Sequence, residues 1–311
     1  MDLDLADLNA FLTVARAKGF RDGARASGGS ASGLSEAVRR LETELGVRLL
    51  HRTTRSVVTT EAGQRLLERL GPALGEVQSA VDVLNDYRGR PAGTLRLNVP
   101  VSAARLVLPA IVPPFLAAFP EVRLEVLADD SFVDVLAAGC DAGIRYEERL
   151  EKDMIAVPIG ARKQRFATAA SSVYLDRHGR PNHPRELLKH SCLSGRFSSG
   201  TKTQWEYERN GKTLRVDPPG PLLVQVGAAT DLLVDAAIGS CGVINLFEDW
   251  LRPHFLSGAL EPILEPWWQR FSGPYLYYPG RRLLPAPLRA FVDFIKSESN
   301  REAVRRPRPA S

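Results

Sequence analysis

Apolar positions recur at helical spacing from the start of the chain. Leu5, Leu8, Leu12 and Ala15 share one helix face, with Phe11 and Val14 beside it, so an amphipathic helix is expected there. A short segment, 22–26, and the small-residue break Ser27-Gly28-Gly29-Ser30 follow. Then Leu34, Val38, Leu41 and Leu45 recur at steps of four, three and four, while Ser32, Ser35, Glu36 and Arg39 fall on the opposite face. Helix, short helix, glycine-bearing turn and longer helix is the order of a helix-turn-helix unit. Gly46 stands just past the last turn, where a helix-ending glycine belongs. Two β-prone runs, 47–50 and 56–59, flank His51-Arg52-Thr53-Thr54-Arg55 and read as a two-stranded wing with a basic tip. Two readings of the polar stripe stay open at this point. It is either a solvated surface or a face of short hydrogen-bonding side chains suited to base edges in a DNA major groove. Wing arginines have the reach for phosphates or a narrow minor groove.

From 60 to about 88 the pattern changes. Leu67, Leu70, Leu74, Val77, Val81 and Leu84 alternate steps of three and four, the seven-residue repeat of a coiled-coil seam. A partner helix from a second subunit would cover it and set two reading heads on two half-sites. Packing against the chain's own C-terminal domain is the alternative. Pro72 sits inside the repeat and is expected to bend the helix or interrupt a backbone bond.

Beyond the Gly/Pro hinge at 89–93 the order becomes β/α. Strand-like 94–99, helical 103–119, strand-like 122–127, helix-like 132–138 and strand-like 142–145 argue a parallel sheet with crossovers. A second unit begins near 163, with strand-like 166–169, a helix around 186–189 and strand-like 192–193. A hairpin follows whose Asn210-Gly211 pair predicts a type I′ turn. Strand-like 222–226, a helix over 229–238 and strand-like 242–246 complete it, and 287–297 reads as a last helix returning to the first unit. Two crossings, the second near 264–266, would make a clamp with a cleft between lobes.

The 311 residues suffice for two or three compact units, and 44% apolar with 25% charged residues is ordinary for a water-soluble chain. A net charge of +5 is compatible with nucleic acid without requiring it. Part of the excess is Arg301, Arg305, Arg306 and Arg308, in a Pro-containing tail expected to be disordered. Asp2, Asp4 and Asp7 stand where a signal peptide needs basic residues, and no run reaches the ~18 apolar residues of a membrane span, so a cytoplasmic protein is expected. Cys140, Cys192 and Cys241 are far apart and odd in number. They suit reduced thiols rather than a metal site or disulfide framework, with a Cys192–Cys241 redox pair as the alternative.

Candidate chemistry gathers at strand ends, where open α/β sheets bind ligands. Ser102 and Ala103 enter a helix whose free N–H groups suit a carboxylate, although Ser102 alone also reads as a simple N-cap. Arg145 follows a strand and would pair an anion or else Glu147 or Glu148. Ser198, Ser199 and Thr201 occupy a Gly-flanked loop, and Asn245 ends another strand. Enzyme signatures are missing. The glycines of Gly239-Ser240-Cys241-Gly242-Val243 are spaced like a nucleophile elbow, but helix precedes and strand follows, the reverse of the order that elbow needs. Of the five histidines only His178 and His183 are near each other, with no third ligand at metal spacing.

The runs FLTVARAKGF, SASGLSEAVRRLETELGVRLL and HRTTRSVVTTEAG resemble the N-terminal domain of LysR-type transcriptional regulators. Ser32-Gly33-Leu34-Ser35 in the helix start, Leu41-Glu42, Leu45-Gly46-Val47, 49–55 and Thr60-Glu61-Ala62-Gly63 carry the likeness. Residues 139–145, 229–246 and 257–260 are more diffusely similar to the effector-binding domain of that family. The resemblance implies a winged helix-turn-helix at 1–60 (helix-turn-helix about 20–40, wing 47–59) and a linker helix at 61–89 that pairs subunits. It implies a two-lobed α/β domain like a type 2 periplasmic binding protein at 90–300. Lobe I would be about 93–162 and 266–297, lobe II about 163–265, and the basic tail 301–311. By position it assigns Ala31, Ser32, Ser35, Glu36 and Arg39 to base edges and Arg52 and Arg55 to backbone and minor groove. Function follows as dimeric or tetrameric transcription control, with double-stranded DNA, a second copy and RNA polymerase as partners. It implies no cofactor beyond a small, often anionic, effector. Three residues depart from the family pattern. Gly29 replaces an aliphatic anchor, Gly33 is a weak helix former costing about 1 kcal/mol against Ala, and Glu36 is acidic where many members carry Arg or Gln. A small-molecule sensor whose N-terminal helices only oligomerise, and an enzyme on the same scaffold, are the rival readings.

Overall fold

In a computed structural model, which describes residues 3–52, 57–86, 91–130, 139–146, 154–227, 229–280 and 284–305, Asp4 opens helix α1 (Leu5–Ala17) by accepting the Ala6 N–H at 2.8 Å. Helix α2 (Phe20–Ser27) leads through the glycine turn to α3 (Ala31–Leu45). Ser30 caps α3 by accepting the Gly33 N–H at 3.1 Å, and Gly46 closes it in the left-handed conformation. The apolar stripes meet as expected: Phe11, Val14, Val38 and Leu41 are buried together with Leu49, Leu50 and Leu70. Polar bonds pin the frame. Buried Asp7 takes two bonds from Arg40, Nε to Oδ2 at 3.0 Å and a terminal nitrogen to Oδ1 at 2.6 Å. Glu42 Oε1 accepts the Leu49 and Leu50 N–H groups at 2.8 and 3.0 Å, tying α3 to the wing.

In the wing, β1 (Leu50–Arg52) runs antiparallel to β2 (Val57–Thr59); the first strand begins at Leu50 rather than at 47 and takes in His51 and Arg52, and 53–56 lie outside the described residues. Helix α4 (Glu61–Asp86) starts where Thr60 Oγ1 accepts the Gly63 N–H at 3.0 Å, and it runs on through Pro72. Its apolar repeat divides. Leu66, Leu67, Leu70 and Leu74 pack on the helix-turn-helix core, whereas Val77 is half exposed.

The second compact unit begins with β3 (Gly93–Val99), α5 (Val101–Leu106), α6 (Leu108–Ala118), β4 (Val122–Ala128), β5 (Ala142–Tyr146) and β6 (Met154–Pro158). The helix expected over 103–119 is broken at Val107, just before Pro109 at the start of α6. The helix expected over 132–138 lies outside the described residues. Lobe II comprises β7 (Lys163–Ala170), α7 (Ser172–His178), a 3-10 turn (Pro184–Lys189), β8 (Cys192–Arg196), and the hairpin β9 (Trp205–Arg209) and β10 (Lys212–Val216). It continues with β11 (Leu222–Gln225), α8 (Thr230–Ile238), β12 (Val243–Phe247), α9 (Glu248–Leu256), β13 (Glu261–Ile263), a second 3-10 turn (Glu265–Trp267) and β14 (Arg270–Ser272). Strand β15 (Pro274–Pro279) returns to lobe I, and α10 (Ala286–Arg305) packs there, with Phe291 edge-on to Phe115 at 4.9 Å.

Lobe I is a 5-stranded sheet in the order β4-β3-β5-β15-β6, and lobe II a 6-stranded sheet built on β11-β8-β12-β7-β13 with β14 also paired to β7. The strands joined by crossovers are parallel, as the β/α pattern requires. β15 and β7 run antiparallel to their neighbours because the chain enters each of them from the other lobe. The second crossing lies at Gly273 rather than near 264–266, because β13 and β14 both stay paired with β7. Gly273 donates to Arg162 O at 2.9 Å, and a Cβ there would stand 1.7 Å from Ala161 O, so the two crossing strands touch backbone to backbone. Helix α10 continues to Arg305, through part of the tail expected to be disordered, since no proline interrupts it before Pro307; 306–311 lie outside the described residues.

Candidate nucleic-acid interface and interlobe cleft

Helix α3 sorts its side chains by face. Ala37, Val38 and Leu41 are buried, whereas Ser32, Glu36 and Arg39 are exposed and Ala31 and Ser35 half-buried. All five predicted readers therefore lie on or beside the outward face, near its N-terminal end. Arg40, next to Arg39, is spent on Asp7, which leaves Arg39 as the outward guanidinium of the pair. Of the wing arginines, Arg52 ends β1 opposite Val57, and Arg55 lies outside the described residues.

In the two-lobed unit, the carboxyl ends of β3, β4 and β5 face the crossing segments, as do those of β8, β11 and β12. The predicted cleft residues occupy these ends but are not all brought together. Ser102 lies beside the Tyr146 hydroxyl, and Ala103 is fully buried in α5. The Val101 N–H, which heads α5, donates to Asp130 Oδ1 at 3.3 Å. Arg145 turns back onto its own lobe: it donates to Ile144 O at 2.7 Å and to Asn98 Oδ1 at 2.5 Å, and lies over the Tyr277 ring at 5.8 Å. Its alternative partners Glu147 and Glu148 lie outside the described residues. Asn245 points into lobe II, donating to Thr168 Oγ1 at 2.9 Å; Thr168 in turn meets the Tyr207 hydroxyl at 3.0 Å. Ser198, Ser199 and Thr201 form an exposed turn after β8, closed by Phe197 N–H to Thr201 O at 2.8 Å and Ser199 Oγ to Thr201 Oγ1 at 3.2 Å.

Other side chains meet where the two lobes adjoin. Tyr146 ends β5 in lobe I, and Gln164 begins β7 in lobe II. Burial pushes the Tyr146 phenol up from its ordinary range, with Ser102 and Gln164 drawing it back only in part. Burial likewise raises the Asp130 carboxyl, opposed by the Val101 N–H and Arg145. The Tyr146 ring packs 5.2 Å from Phe247, which sits 4.8 Å from Phe166; Phe271 is 5.0 Å from Phe166. Asp130 is legible as a polar residue just past a strand, and Tyr146 as the neighbour of Arg145. Gln164 carried no signal, because only the register of β7 against β14 brings it there. A separate cavity of about 470 Å³ on lobe II is lined by Arg165, Arg209, Trp268 and Arg270 among others, and contains none of the predicted residues. Among the described residues no cluster of His, Cys, Asp and Glu is set to hold a metal ion, and no helix is long and apolar enough to cross a membrane.

Residues 5–64 match the family described as bacterial regulatory helix-turn-helix protein, lysR family, and residues 88–300 match the LysR substrate binding domain. The chain belongs to the LysR-type transcriptional regulators. It is accordingly a regulator and not an enzyme. The LysR-type regulator is 37% identical over 297 residues to the HTH-type transcriptional regulator YcaN of Escherichia coli (strain K12), covering 96% of each chain. It is 36% identical to the HTH-type transcriptional regulator PgrR of the same organism, over 94% of this chain and 97% of that one. Its fold is that of full-length AphB, the Vibrio cholerae virulence activator, with a TM-score of 0.64 at 22% identity, covering 94% of this chain and 99% of that one. CrgA of Neisseria meningitidis is similar at a TM-score of 0.56 and 25% identity, over 95% and 98% of the two chains.

Proposed function

We propose that this LysR-type regulator binds specific double-stranded DNA sequences and that a small molecule between its lobes modulates that binding. Ala31, Ser32, Ser35, Glu36 and Arg39 meet base edges, and Arg52 and Arg55 meet phosphates and the minor groove. The observation that carries this reading is the division of α3 into a buried apolar face and an outward face bearing Ser32, Glu36 and Arg39. A carboxylate at Glu36 accepts from a cytosine amino group and repels phosphate, so the operator differs from those of members carrying Arg or Gln there.

Two copies join through 61–89 and the effector domains, as a dimer or tetramer. The half-exposed Val77, which begins the outer part of the repeat, supports this. The effector lies at the strand ends bearing Ser102, Ala103 and Arg145, opposite Ser198, Ser199, Thr201 and Asn245 of lobe II. Binding closes the lobes and changes how the reading heads are spaced, which requires the ligand to prefer one arrangement by about 1–3 kcal/mol. Work in the cytoplasm, on the nucleoid and with RNA polymerase as a further partner, follows from this role. The test is titration of DNA fragments flanking the gene with the full-length protein at two salt concentrations. Tight, salt-sensitive binding to one fragment that collapses in Arg39→Ala is expected. Equally weak binding to every fragment, indifferent to that change, removes the specific-readout reading.

A further inference from the structure

The expectation of an anionic effector rested on free N–H groups at α5 and on Arg145. Both are engaged by the protein's own acceptors: the Val101 N–H by Asp130, and Arg145 by Asn98 and Ile144. Two further arginines near these elements are likewise paired, Arg105 with Asp231 and Arg165 with Glu248. What the lobe junction offers instead is acceptors. Gln164 is 8% exposed, and its Oε1 makes no hydrogen bond among the described residues; the buried Tyr146 hydroxyl also has none. The Tyr146 hydroxyl lies beside Ser102 and Gln164, yet neither it nor Gln164 Oε1 makes a well-formed hydrogen bond among the described residues; buried polar atoms are almost always paired, so this marks a place that a ligand completes. Asp130 brings a carboxylate to the same region. Its Oδ2 would lie 2.3 Å from a Cβ at residue 227, so the glycine there lets lobe II come up against the carboxylate. Beside these acceptors stand the faces of Tyr146, Phe247, Phe166 and Phe271. Aromatic faces attract cations and accept apolar bodies.

We infer that the cleft selects a small amine with an apolar body, its ammonium bound by Asp130, Gln164 Oε1 and the Tyr146 oxygen, and that it discriminates against carboxylates of the same shape. This rests on the proposed reading of the cleft as the effector site and specifies the ligand class. An ammonium presents three donors and no acceptor, which matches three acceptors. A carboxylate there would meet the Asp130 charge and the Gln164 oxygen, with Arg145 already engaged by Asn98 and Ile144 and only the Tyr146 and Ser102 hydroxyls able to donate.

The test uses the full-length protein and three probes of one shape: phenethylamine, 2-phenylethanol and phenylacetate. Thermal shift and calorimetry are expected to give phenethylamine the tightest binding, at least tenfold over phenylacetate. Asp130→Asn, which keeps an acceptor for the Val101 N–H, is expected to cost the amine more than tenfold. Gln164→Met tests the same site without touching that cap, and unchanged circular dichroism and DNA binding certify that both variants fold. Binding of phenylacetate in preference to phenethylamine, or amine binding indifferent to both substitutions, overturns the amine assignment and leaves the cleft reading standing. Failure of all three probes to bind, with DNA binding intact, overturns the assignment together with the cleft reading.

Discussion

Helix α3 places two side chains, two positions apart, in opposite roles, and separating them is the sharpest test of the DNA-binding face. Arg39 is exposed and Leu41 has no exposed surface. Arg39→Ala removes no buried group, so stability changes by no more than about 0.5 kcal/mol. A guanidinium lost from a base edge costs about 1–3 kcal/mol per half-site. At about 1.4 kcal/mol per tenfold that is a factor of roughly 5 to 150, and a symmetric dimer on two half-sites doubles the energy. Leu41→Ala does the reverse. It hollows the core under the helix at a cost of about 2–5 kcal/mol, a large part of the ~5–15 kcal/mol that holds a typical domain together. Operator affinity per folded molecule stays close to the parent's. The assay pairs circular-dichroism melts with fluorescence anisotropy on labelled operator DNA at two salt concentrations. If Arg39→Ala binds DNA as the parent does, or melts as early as Leu41→Ala, the assignment of faces is refuted.

Gly273→Ala drives a methyl group onto Ala161 O, and overpacking of this kind costs about 1–3 kcal/mol or more; the melt of the effector domain should fall while DNA binding at low temperature persists, and an unchanged melt would contradict the close crossing. A thiol reagent on the native protein should label exposed Cys241 first and reach buried Cys140 and Cys192 only on unfolding; equal rates at all three would show that the burial is wrong. Burial pushes the Cys192 thiol from 9.0 up to about 12. The unfolded chain therefore releases this proton first, so its contribution is complete below pH 9 and declines as pH rises toward 12. Denaturant midpoints should drop across that window by more in the parent than in Cys192→Ala, each compared with its own value at neutral pH.

The N-terminal unit was legible because its information is local. Caps, a helix-ending glycine and stripes at three and four residues each constrain a few neighbours, and Ser30, Gly46, Val38 and Leu41 sit where those rules put them. The Asn210-Gly211 turn is another local device, and Arg209 pairs Lys212 across it. The effector domain was legible only as alternating strands and helices. The second crossing was misplaced because β13 and β14 look like an exit from lobe II until their pairing with β7 is seen. Arg145 and Asn245 were read as open to a ligand, yet each finds an acceptor on a strand distant in sequence, Asn98 and Thr168.

Periodicity and capping chemistry by themselves determined a helix-turn-helix head, a long helix after it and a domain of alternating strands and helices, since each depends on residues within a turn or two of one another; the DNA-reading role came from the resemblance to the family. Only the tertiary structure decided which side chains meet where the two lobes adjoin. Asp130, Tyr146 and Gln164 come from the ends of three strands in two lobes, and whether such groups face a ligand or satisfy one another depends on strand register and on where the chain crosses. No spacing along the sequence encodes either.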